Sequence, residues 1–126
     1  MKSVILMGLL AGVYTAQAQH YVRKTPEEKA MRYSKEMFND LNLDSNQFAG
    51  IYAINLMVSQ RFDSLYASKP AEDEKKQATI RILRNRDSLF RKVLRNDQFL
   101  HYDDLQRERW EKKKRERALQ EQKGSE

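Results

Sequence analysis

Cysteine is absent from the 126 residues, and His, Gly and Pro are scarce at two, four and two. Without Cys there is no disulfide scaffold, thiolate zinc site, thiol nucleophile or lipid-bearing cysteine. His20 and His101 alone are a poor basis for an imidazole-based metal or catalytic cluster. Few Gly and Pro leave little material for the turns of a many-stranded sandwich or barrel. No Gly-rich phosphate loop is present, so an ATP-driven cycle has no visible basis. These absences argue against an ordinary enzyme, and no cofactor is expected. What the chain has in quantity is charge: 33% of residues are Asp, Glu, Lys or Arg, with a formal balance of +6. Its length bounds it to one domain.

Residues 1–18 differ in kind from the rest. Lys2 precedes a ten-residue apolar run at 4–13 (VILMGLLAGV), and Ala16-Gln17-Ala18 supplies the small–x–small pattern of a signal-peptidase site. Ten residues rise about 15 Å as a helix, about half of a hydrocarbon core, which argues against a permanent span. The pattern predicts cleavage after Ala18 and a periplasmic or secreted product, with residues 19–24 as an extension before the folded part. What remains is polar and short, enough for only a thin core. A layer of helices completed by a partner subunit fits that core better than a closed monomer.

Periodicity predicts four helices and no strands, an all-α domain over 25–110. Thr25-Pro26-Glu27-Glu28 is a capping box with Pro at the first helical position. Met31, Ser34, Phe38 and Leu41 follow at helical spacing, with Ala30, Tyr33 and Met37 alongside, so the helix covers about 26–41. Asp44 is the next N-cap, Gln47 its capping-box partner, and Leu43 with Phe48 a hydrophobic staple. Phe48, Ile51, Asn55, Val58, Phe62 and Leu65 carry this second helix to about residue 68. There Lys69-Pro70 breaks it, because the residue before Pro is pushed out of the helical region. A third helix over about 71–94 has an acidic start and a basic end. It carries Ile80, Leu83, Asp87, Phe90 and Leu94 on one stripe and Ile82, Leu89 and Val93 on another. The fourth begins near residue 96 with Phe99, Tyr102 and Leu105 inward, and its pattern fades after Trp110 into a charged tail, 111–126.

Two stretches match: Leu43-Asp44-Ser45-Asn46-Gln47-Phe48 and Leu94-Arg95-Asn96-Asp97-Gln98-Phe99, both Leu-x-x-x-Gln-Phe at helix corners and 51 residues apart. On these residues the chain resembles the Spy/CpxP family of periplasmic helical proteins, known for a twice-repeated LTxxQ motif. Leu43 and Leu94 take the Leu position and Gln47 and Gln98 the Gln position. Asp44 replaces the motif Thr with an equally good cap, whereas Arg95 replaces it with a poor one, leaving Asn96 as the alternative cap. The run LNLDSNQFAGIYAIN also looks like short versions in secreted proteins of Bacteroidetes-type bacteria.

The resemblance implies a cradle-shaped antiparallel homodimer that binds unfolded protein clients without ATP. It also implies relatives that regulate an envelope-stress sensor or bind metal. A passive structural role is the third class. Basic groups beside apolar ones suit clients: Arg61 with Phe62, Arg84 and Arg86 near Leu83, and Arg91 with Lys92 near Phe90. His101 shares a helix face with Asp97 and Asp104, a weak metal arrangement better read as a partly exposed His beside N-terminal acids. Residues 107–117 (RERWEKKKRER) hold seven basic and three acidic residues around Trp110. Export argues against nucleic acid there. Glu108–Lys112 and Glu111–Arg115 read as i,i+4 supports of a solvated helix, with weak contact to an anionic membrane surface or to a client as the second reading and Trp110 as a packing residue.

Overall fold

A computed structural model describes residues 23–125. Residues 1–18, expected to direct export, and residues 19–22 of the expected extension lie outside them. The described chain is four helices with no strand: α1 (Pro26–Leu41), α2 (Ser45–Ala67), α3 (Glu72–Val93) and α4 (Asn96–Gly124). None of these helices is long and apolar enough to cross a membrane.

Local chemistry sets the boundaries. Thr25 Oγ1 accepts from the Glu28 N–H and the Glu28 carboxylate accepts from the Thr25 N–H, both at 3.2 Å. Asp44 and Gln47 form the same reciprocal pair at the start of α2. Asn42 ends α1 in the left-handed region (φ 51°), and the Leu43 N–H reaches back to the Phe38 carbonyl at 3.3 Å. Asn tolerates that conformation because its short polar side chain bonds locally. Lys69, just before Pro70, is the other residue with positive φ (47°), and the chain turns there into α3.

α1 and α3 flank α2 as an open layer. Their Cα traces nowhere approach within 8 Å of each other, and each packs on α2. The α1–α2 interface is the most extensive. Both pairs run antiparallel: Lys29 Nζ meets the Asp63 carboxylate at 2.7 Å, and the Asn55 amide donates to Ser34 Oγ at 3.0 Å between fully covered surfaces. Gly50 faces Val93, where an added Cβ would lie 3.2 Å from a valine methyl. α2 is apolar on several sides because it has a neighbour on each flank, as a helix in the middle of a layer must. The start of α4 crosses the end of the layer, touching α1 and α3.

Two stripes differ from the periodicity reading. On α1 the buried face is Ala30, Ser34, Met37 and Leu41, while Met31 and Phe38 are exposed at its edge. On α3 the buried residues are Ile82 and Phe90, one from each stripe, and Ile80 is exposed. In both helices apolar residues lie on two adjacent stripes, and the packed neighbours decide which of them are buried. A third difference lies in α4, which continues as unbroken helix through the charged segment to Gly124.

Candidate functional site

The two motif glutamines meet. Gln47 sits in the first turn of α2 and Gln98 in the first turn of α4. The Gln47 amide donates to Gln98 Oε1 at 2.7 Å, and the Gln98 amide donates back to Gln47 Oε1 at 3.3 Å. Each also donates to the last carbonyl of a helix in the other corner: Gln47 to Val93 O and Gln98 to Leu41 O, both at 3.2 Å. Each accepts from the N–H at the start of its own helix, Asp44 for Gln47 and Arg95 for Gln98. Helix ends leave N–H and C=O groups without intrahelical partners, and this clasp satisfies both kinds at both corners. Leu43 and Leu94 are buried beneath it, as is Phe99.

The corners are not equivalent. Arg95 is the N-cap of α4 and has no acceptor to offer, so only the glutamine half of its box forms. Asn96 is the first helical residue and is not the cap. Arg95 bonds instead to the Asp97 carboxylate at 3.2 Å, which holds that carboxyl below its usual pKa. Phe48 is half-buried and takes Phe38 as its edge-on partner at 5.8 Å. Phe99 packs at 5.8 Å from Tyr102, whose ring stands edge-on to Phe90 at 5.1 Å. Tyr102 donates its hydroxyl to Asp87, and burial pushes its pKa well up.

A testable consequence follows from the missing acceptor. Asp44→Ala should cost about 1 kcal/mol, whereas Arg95→Thr should gain about 0.5–1 kcal/mol by completing the box. The exposed Arg95–Asp97 pair that is lost contributes little in water. Urea denaturation of both variants checks the contrast, and a destabilised Arg95→Thr would contradict this account of the corner.

Away from the clasp, α2 and α3 leave an open groove of about 750 Å³. Met57, Leu65, Ala78 and Ile82 line it with Arg61 and Arg81. A second stretch of about 480 Å³ continues it past Leu65 and Ala78 to Pro70. Of the basic residues read as client-facing, Arg61 lies on this groove. Arg84 and Lys92 are exposed on α3, and Arg91 is exposed with its guanidinium 4.3 Å from the Phe99 ring centre. Arg86 is a correction. Its side chain is only 20% exposed, bonded to Asp87 at 3.0 Å and lying near the Phe90 and Tyr102 rings, so it packs rather than presents a free charge. Phe62 is half-buried against the core and stacked on Tyr66. Arg81 escaped the sequence reading because nothing local marks it. Only the antiparallel register of α2 and α3 brings it to Arg61.

His101 is exposed, and Asp97 is held by Arg95. Among the described residues no three His, Asp or Glu side chains converge as metal ligands. Comparison with family models, curated proteins and solved structures finds no match to this chain.

Proposed function

We propose that the chain is an exported, ATP-independent, chaperone-like protein of the Spy/CpxP type. In this reading it is not an enzyme, and it holds unfolded segments against the open α2–α3 face. The observation that carries the reading is the groove itself: an apolar floor with a guanidinium on each wall, left uncovered by the other helices. A groove open along its length accommodates an extended chain of variable sequence better than one small ligand. Met57, Leu65 and Ile82 offer apolar surface, and the long stems of Arg61 and Arg81 cover part of it while their charges attract acidic segments. The thin layer also supports pairing of two copies in an antiparallel dimer.

Dilution of a chemically denatured client into purified protein without nucleotide tests the reading by light scattering. The protein should suppress aggregation. Combining Arg61→Glu with Arg81→Glu should slow capture and flatten its salt dependence while leaving helicity intact, because charge governs encounter more than final affinity. Unchanged aggregation across several clients would overturn the chaperone reading and favour docking on a single sensor protein.

A further inference from the structure

The distal half of α4 leaves the body of the protein. Arg109 reaches the Asp40 carboxylate of α1 at 3.0 Å, and every residue from 110 to 125 is exposed. Residues 111–124 extend about 20 Å at helical rise. Helix geometry sorts their charges. Trp110, Lys113, Lys114 and Arg117 stand at i, i+3, i+4 and i+7 and share one face. Lys114 Nζ lies 5.2 Å from the centre of the Trp110 ring, which is 62% exposed, so Trp110 is not the packing residue expected of it. Arg107 borders the face but is bonded to Asp103 at 2.8 Å, and Glu121 closes it one turn beyond Arg117. Glu108 falls on the opposite side with Lys112 and Arg115, and Glu111 and Glu116 on the two flanks.

We infer that this face of α4 docks on an anionic phospholipid surface, with Lys113, Lys114 and Arg117 against headgroup phosphates and Trp110 at the interface. The inference goes beyond client binding and uses a different part of the molecule. Its geometric basis is the indole and the absence of acid: Lys112, Arg115 and Lys123 stand on the opposite side with exposed Leu119 and Glu108, whereas Lys113, Lys114 and Arg117 share their face with Trp110 and with no acid before Glu121. A planar anionic surface meets one face of a helix, here the face with three cations and an indole. A nucleic-acid groove surrounds the helix and brings Glu108, Glu111 and Glu116 against phosphates. Indoles favour the bilayer interface, and basic side chains near an anionic leaflet are attracted by its surface potential. With a single large apolar residue on the face, attachment is electrostatic, reversible and salt-sensitive.

Trp110 is the chain's only tryptophan, so its fluorescence reports on this face alone. Titration with equimolar phosphatidylglycerol–phosphatidylcholine vesicles should shift its emission to the blue and shield it from iodide, and pure phosphatidylcholine should not. The exported form beginning at Gln19 is used for every variant, so differences between variants isolate α4. At about 0.1 M salt the Debye length is about 10 Å, close to a helix diameter, and opposite faces are electrostatically distinct. Under that condition Lys113→Glu, Lys114→Glu and Arg117→Glu together should weaken vesicle binding more than about tenfold. The corresponding Gln triple should weaken it less, and circular dichroism confirms that the helix persists. Lys112→Glu, Arg115→Glu and Lys123→Glu, with the same net charge, should change binding little. Equal weakening by both Glu triples, or no blue shift with anionic vesicles, would overturn the inference. A single-stranded oligonucleotide or acidic peptide that moves Trp110 emission at lower concentration than the vesicles would do the same.

Discussion

Replacing Gln98 with Ala should destabilise the fold by about 3 kcal/mol, a loss of about 15 °C in Tm for a domain of this size. Gln98 is 3% exposed, and its amide is the partner of the Leu41 carbonyl, the Arg95 N–H and Gln47. Removing it leaves a buried carbonyl and a part-buried N–H unmatched, each costing up to about 1–3 kcal/mol, less whatever water can reach. Gln47→Ala should cost less, about 2 kcal/mol, because Gln47 is half-exposed and water can replace part of its bonding. The two effects should not add. Each substitution removes the Gln–Gln bonds, so the double variant should fall short of the sum by about 1–2 kcal/mol. Urea denaturation of the four proteins gives that coupling directly. Additivity within about 0.3 kcal/mol would mean that the two corners are stabilised separately and that the clasp is incidental.

The parts of this arrangement that are local were legible in the chain. Thr25 with Glu28 and Asp44 with Gln47 act three residues apart, within one turn, and both boxes form as their spacing predicts. Lys69 leaves the helical region because Pro70 follows it, again a neighbour effect. The meeting of Gln47 and Gln98 is not local. The repeat of Leu-x-x-x-Gln-Phe marks both corners, yet no periodicity says that they touch. Arg86 shows the same limit in reverse. A guanidinium in a helical sequence reads as solvated, and here Asp87, Phe90 and Tyr102 give it somewhere better to lie. The distal part of α4 is a third case. Its apolar period vanishes, so pattern alone ends the domain near Trp110. Helix continues because Glu, Lys, Arg, Gln and Ala favour it and its opposite charges recur four apart.

Phe90→Ala should be the most damaging single truncation in the core, at about 3–5 kcal/mol. The ring is 1% exposed and among the largest side chains fully enclosed. It stands edge-on to Tyr102 at 5.1 Å and lies 5.9 Å from the Arg86 guanidinium, so its loss empties the junction between α3 and α4. A domain of about 100 residues holds only about 5–15 kcal/mol in total, and this change takes a large share of it. The damage should also be uneven. α1 and α2 share the most extensive interface, with the Ser34–Asn55 bond and the Lys29–Asp63 pair far from the cavity. The short first part of α4 has fewer anchors: Gln98, Phe99, Tyr102 and half-buried Leu105. Amide exchange in Phe90→Ala should therefore rise most over residues 96–105 while α1 and α2 keep their protection, as in opening of one cooperative unit before the rest. A uniform rise across all four helices would show instead that α4 is integral to a single cooperative core. In that event α4 could not be loosened from the layer without unfolding it.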